Sequence, residues 1–106
     1  MARRDSIDIG ELTDPAFYIL LSVMDEKHGY LIMKTIAELT NNKVTIGPAS
    51  LYTTLKKILV AELVELHITN DTKKTYKITQ KGYDMLKDEV ERKKEMIKLA
   101  ECFLNN

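Results

Sequence analysis

Apolar residues along this chain recur first with helical spacing, then at every second position, then with helical spacing again. Thr13-Asp14-Pro15 opens the first helical run, with Asp14 expected to cap and Pro15 suited to the first helical position. Phe17, Leu20, Leu21 and Met24 follow at i, i+3, i+4 and i+7. Tyr18, Ile19 and Val23 make this helix apolar on more than one side, so it should sit deep or at an interface. Asp25 to Gly29 forms a turn. His28-Gly29-Tyr30 leads into a second helix with Ile32, Met33, Ile36 and Leu39 as its core face, and Thr40-Asn41-Asn42 ends it. Lys43 to Ile46 is short and extended, a candidate for one brief strand.

Gly47-Pro48 then breaks the chain ahead of a third helix expected within residues 46–61. Leu51, Leu55, Ile58 and Leu59 give this helix an apolar stripe. Ser50, Thr53, Thr54 and Lys57 give it a second stripe of hydroxyls and one cation. A solvated helix face usually carries Glu and Lys. Ser and Thr are poorer helix formers, so their clustering asks for a reason. Short hydroxyls approach phosphates and base edges closely, and Lys56 and Lys57 add charge beside them. This pattern suits a DNA recognition helix; the plain alternative is an ordinary surface helix.

Beyond Ala61 the period changes to two. Val64, Leu66 and Ile68 alternate with Glu65 and His67, Thr69-Asn70-Asp71-Thr72 is turn chemistry, and Lys74 to Ile78 alternates again. A hairpin with Lys73 and Lys74 at its tip is marginal alone and must pack on the helices. Thr79 is the expected cap of the last helix. There Tyr83, Val90, Ile97 and Leu104 are spaced by seven, with Leu86, Lys93 and Ala100 at the complementary positions, a short and imperfect heptad seam. The i,i+4 pairs Asp88–Arg92 and Glu89–Lys93 support an exposed helix, and the charge run from Lys87 to Lys98 reads as a solvated face. The seam suits packing on a second subunit; the alternative is a helix folded back on its own domain.

The fold class is therefore mainly α with a small β-hairpin, a winged helix-turn-helix plus a C-terminal dimerisation helix. Residues 1–12 form an N-terminal arm, 13–79 the winged-helix DNA-binding domain and 80–106 the dimerisation helix. The 106 residues suit one domain, and 44% hydrophobic with 30% charged residues suits a folded chain. Net charge is zero, yet it is unevenly spread. Residues 1–42 hold four Lys/Arg against seven Asp/Glu, residues 43–81 seven against three, and residues 82–106 five against six. Positive charge thus gathers around the third helix and the hairpin, as phosphate binding requires. Cys102 is the single cysteine, which leaves no intramolecular disulfide or cysteine zinc site. His28 and His67 have no partner pattern and read as structural or exposed, so neither a metal nor a cofactor is expected. No stretch approaches the roughly 20 apolar residues of a membrane span, and the N-terminus lacks a signal-peptide run; a cytoplasmic protein is expected.

Together these residues resemble the PadR-like family of bacterial winged-helix transcriptional regulators. The resemblance rests on His28-Gly29-Tyr30, on Ser50-Leu51-Tyr52 followed by Leu55-Lys56, and on Tyr76-Lys77-Ile78-Thr79-Gln80-Lys81-Gly82, and it covers roughly residues 12–86. The single C-terminal helix is similar to that of the smaller members, which dimerise through it. The resemblance implies a homodimer on an inverted-repeat operator in double-stranded DNA, usually a repressor, responding to a small aromatic or lipophilic effector. The chain has no Trp, which puts in doubt the tryptophan sandwich of some drug-binding members.

The expected division of labour places Ser50, Thr53 and Thr54 at base edges and Lys56 and Lys57 on the DNA backbone; Tyr52 either covers the core or bonds a phosphate, and the resemblance implies the phosphate. Lys73 and Lys74 reach phosphate or the minor groove from the wing, and Tyr30 touches the backbone from the second helix. Tyr83, Leu86, Val90, Ile97, Ala100 and Leu104 form the dimer seam. A winged helix used only for protein–protein contact is the competing reading, because fold does not dictate function. An enzyme is not expected: the chain shows no nucleophile–base set, no paired carboxylates at a pocket-like spacing and no phosphate-cradling glycine loop.

Overall fold

A computed structural model describes residues 12–105. Helix α1 spans Asp14–Ser22, α2 Gly29–Leu39 and α3 Pro48–Val60. Strands β1 (Val64–Thr69) and β2 (Lys73–Ile78) flank a 3-10 turn at Asn70–Thr72, and α4 runs over Gln80–Leu104. The arm expected over residues 1–12 lies outside the described residues except for Leu12, which is buried in the core.

Thr13, not Asp14, caps α1: its hydroxyl accepts from the Ala16 N–H at 3.3 Å, so Asp14 and Pro15 both sit inside the first turn. The helix is also turned by one position from expectation. Ala16, Ile19, Leu20 and Val23 are buried, and only Leu20 belongs to the predicted stripe. Phe17 is half-buried, while Leu21 and Met24 are exposed. An apolar surplus on two sides lets packing select either stripe, and it selects the one that carries the smaller Ala16. In α2, Ile32 and Ile36 are buried and Met33 half-buried, but Leu39 is 75% exposed at the helix end. No strand forms over Lys43–Ile46.

Two helices end on the same device. After α2, Asn41 and Asn42 take left-handed φ of 54° and 63°, the Asn41 N–H donates to the Glu38 carbonyl at 3.2 Å, and the Asn42 N–H donates to that of Ala37 at 2.8 Å. After α3, Glu62 takes φ 65°, its N–H donates to the Leu59 carbonyl and the Leu63 N–H to that of Ile58. Both are Schellman terminations, and the second is sealed by burial of Leu63 against Ile58.

The same corner explains the sequence Thr79-Gln80-Lys81-Gly82. The Thr79 hydroxyl accepts from the Gly82 N–H at 3.0 Å and donates to the Glu62 carbonyl at 2.7 Å. The Lys81 ammonium donates to the Ala61 carbonyl at 2.9 Å, satisfying the end of α3. A Cβ on Gly82 would run into the Leu63 carbonyl, so only glycine lets α4 start this close to α3.

β1 and β2 pair antiparallel from Val64↔Ile78 to Thr69↔Lys73. Lys27 adds a further bridge on the outer side of β2: its N–H donates to the Tyr76 carbonyl at 3.0 Å and its carbonyl accepts from the Tyr76 N–H at 2.8 Å. Burial fades along the hairpin, from Val64 at its base to Ile68, 64% exposed, where the tip projects beyond the helices. Leu51, Leu55 and Ile58 of α3 are buried against α1, α2 and the hairpin base in one continuous core.

On α4 the buried positions are Gly82, Leu86 and Glu89. Leu86, expected in the dimer seam, belongs to this chain's own core. Glu89 corrects the expected solvated face: it is 1% exposed, its carboxylate gripped by Arg92 at 3.1 and 2.5 Å and by Lys93 at 3.4 Å. The Arg92 hydrogen bonds hold this carboxyl below the usual carboxylate range against the upward push of burial. From Met96 onward every described residue of α4 is exposed. Among the described residues, no helix is long and apolar enough to cross a membrane.

Candidate nucleic-acid interface

Helix α3 begins at a bare N-terminus, with Gly47 as its cap and no side chain bonded there. Because Leu51, Leu55 and Ile58 face the core, the opposite side of the helix is left to solvent. Ser50, Thr53, Lys56 and Lys57 are exposed and Thr54 is half-buried. Among the described residues, no carboxylate pairs with Lys56, Lys57, Lys73 or Lys74, so these charges face outward uncompensated.

Tyr52 lies on the flank of α3 that faces α2. A Cβ on Gly29 would collide with its hydroxyl, so the glycine at the start of α2 is the seat of this ring. Before it, His28 caps α2, with Nδ1 accepting from the Leu31 N–H at 3.3 Å. The His28 ring also stacks on Tyr30, centroids 6.4 Å apart and planes 17° from parallel. Within His28-Gly29-Tyr30, then, the first residue caps the helix, the second seats a ring from α3 and the third presents a ring to solvent.

A groove of about 340 Å³ opens between this corner and the wing, lined by His28, Gly29, Tyr30, Tyr52, Thr72, Lys73, Lys74 and Tyr76. It brings together four residues predicted from the sequence, Tyr30, Tyr52, Lys73 and Lys74. Its floor is the buried Tyr76, whose phenol is pushed up by burial and then by the neighbouring Tyr52. Two ammonium groups, phenol hydroxyls and the N-terminal amides of α2 around one groove suit a phosphate oxygen.

Ser50 is not part of this groove. It lines a separate hollow of about 270 Å³ with Asp14, Pro15, Tyr18 and residues 44–47. The predicted residues therefore fall into two sets: the outer face of α3, and the corner where α2, Tyr52 and the wing meet. His28, Gly29, Thr72 and Tyr76 were missed as groove residues. The signal for the first two was the His-Gly pair at a helix start.

A cluster on the hairpin was missed altogether. His67 lies with Nε2 2.6 Å from Glu65 and Nδ1 3.2 Å from Glu26, and the Thr75 hydroxyl donates to Glu26. Glu65 and then Glu26 raise the His67 pKa, while Thr75 and then His67 lower that of Glu26. The sequence expectation gave His67 no partner. Its partners are a neighbour two positions away and a loop residue 41 positions upstream, a distance no local pattern reports.

Three helices, a basic hairpin and a long final helix, with a positive face on the third helix, define a winged helix-turn-helix protein. The chain belongs to the Transcriptional regulator PadR-like family, whose profile matches residues 19–88. In fold it is similar to a transcriptional regulator from Clostridium thermocellum, Cth-833, at 22% identity and a TM-score of 0.77, covering 96% of this chain and 98% of that one. It is also similar to RosR of H. salinarum, at 19% identity and a TM-score of 0.66, covering 91% and 97%. No curated protein matches it in sequence.

Proposed function

We propose that this regulator is a cytoplasmic, homodimeric repressor that binds an inverted-repeat operator in double-stranded DNA and is released by a small aromatic or lipophilic effector. The observation that carries DNA binding is the groove joining Tyr30, Tyr52, Lys73 and Lys74 beside the exposed hydroxyl–lysine face of α3. In this reading α3 enters the major groove with Ser50, Thr53 and Thr54 toward base edges. Lys56 and Lys57 hold the helix to phosphate, and the groove grips the backbone beside it. Repression and effector release rest on the family resemblance. The apolar surface left on α1 by Leu21 and Met24, and on α4 by Ile97 and Phe103, is the candidate place for a partner subunit and an effector.

A salt titration tests the reading. Binding to duplex DNA should weaken linearly in log–log form as salt rises. Lys57→Ala and Lys73→Ala should each weaken binding to every sequence and reduce the slope by about one. Affinity for DNA that does not fall with salt would favour the competing reading, a winged helix that contacts only protein.

A further inference from the structure

Helix α4 carries one continuous stripe. At 100° per residue, Gly82, Leu86, Glu89 and Lys93 lie along the same side as Met96, Ala100, Phe103 and Leu104. The first part of this stripe is covered by the protein's own body and the last part is bare. At the crossover the stripe is charged rather than apolar. Glu89, with a fully buried side chain, receives two hydrogen bonds from Arg92 and an ion pair from Lys93. Lys93 in turn reaches α1, with its ammonium 3.9 Å from Asp14 and 5.2 Å above the Phe17 ring. Arg92 also donates to the Met96 sulfur at 3.2 Å, one turn into the bare half.

A buried ion pair gives little net stability over a well-packed apolar residue, whereas its bidentate geometry fixes direction. Glu89, Arg92 and Lys93 all stand on α4, so what the carboxylate fixes directly is the side chain of Lys93, whose ammonium crosses to Asp14 and Phe17 of α1 and ties α4 to the body at this point. From Glu89 to the helix end is a lever of roughly 22 Å, so a tilt of about 10° moves the tip by about 4 Å, close to one base-pair step.

We propose that Glu89, acting through Arg92 and Lys93, is the positioning residue that sets the half-site spacing this regulator accepts on DNA. The proposal rests on the dimeric reading above. Two copies joined through the bare half of α4 hold their α3 helices at a separation that this crossover angle determines. Glu89 itself lies outside the proposed DNA-contacting face.

The test uses the full chain. A half-site is first recovered by selection from a random duplex pool. Wild type, Glu89→Met and Lys93→Met are then titrated on duplexes carrying one half-site, or two inverted half-sites with the spacer stepped by single base pairs. Sedimentation equilibrium reports the oligomeric state of each. Wild type should prefer one spacing by about tenfold over its neighbours. Glu89→Met should stay dimeric and keep its single-half-site affinity, with the spacing preference falling to about threefold or less. Lys93→Met, altering a partly exposed side chain, should flatten the profile in the same direction and serves as the reading if Glu89→Met does not fold. A dimeric variant with the wild-type spacing profile, or equal loss at one half-site and at every spacing, overturns the proposal alone. A monomeric wild type overturns the dimeric reading and this proposal with it.

Discussion

Gly29 and Glu62 show how much of this fold is decided by single backbone positions. Gly29 is small because the Tyr52 hydroxyl occupies the place of its side chain, so the family signature at the start of α2 is a packing requirement of α3. Glu62 is the opposite case, a residue with a side chain held at φ 65°, where L-residues are disfavoured. Among the described residues, its hydrogen bonds are made by its backbone, to Leu59 and from Thr79. Glu62→Gly should therefore keep the corner and raise stability by about 0.5–1 kcal/mol, read as a higher urea midpoint at unchanged m-value. On the proposed recognition face, Ser50→Ala and Thr54→Ala should relax preference at particular bases by about 1–3 kcal/mol. Competition between selected and random duplex measures this, and equal loss on both would refute the assignment of these hydroxyls as readers.

The attachment of the hairpin should depend on pH through His67 and Glu26. Both ring nitrogens of His67 face carboxylates, an arrangement in which only the doubly protonated ring donates to each. Because the folded pKa of His67 is raised, its contribution is complete below the ordinary value of about 6.5 and is lost as pH rises through the folded value. The pKa of Glu26 is lowered, so its contribution is present above the ordinary carboxylate range and is lost as pH falls through the folded value. The wing is thus best tied to the loop after α1 between those limits. The melting-temperature difference between wild type and His67→Gln should shrink as pH rises from about 6 to about 8.5; a constant difference would remove His67 from the clamp. The elements themselves were legible because each repeats locally: helical spacing in α2 and α3, alternation in the hairpin, Thr79 ahead of α4. The rotation of α1 was not, because an apolar surplus on two sides leaves the choice of face to tertiary packing. Glu89 was misread for a related reason. A carboxylate flanked by basic residues looks solvated until the helix it must pack against is in place.

At the scale of the whole molecule, α4 is too long for the body it packs on. Met96, Ile97, Leu99, Phe103 and Leu104 are all more than half exposed, and with Ala100 they occupy an arc of about 160° on one side of the helix. On the dimeric reading proposed above, a stripe that is covered by α1 and the core up to Lys93 and then bare is half of an interface, and a second copy would offer the same surface by two-fold symmetry. On that reading the seam lies nearer the helix end than the sequence pattern suggests. Leu86 lies in the core and Val90 is half-buried beside it, so charging either would confound dissociation with unfolding. Ile97 and Leu104, 57% and 81% exposed, are clean positions. Ile97→Glu combined with Leu104→Glu should leave the winged-helix body folded, with an unchanged thermal transition of the core. The mass in sedimentation equilibrium should fall to that of one chain, and affinity for two inverted half-sites should drop to that for a single one. A two-chain mass in the double variant would place the subunit contact elsewhere, and a one-chain mass in wild type would mean that the bare stripe awaits a different partner.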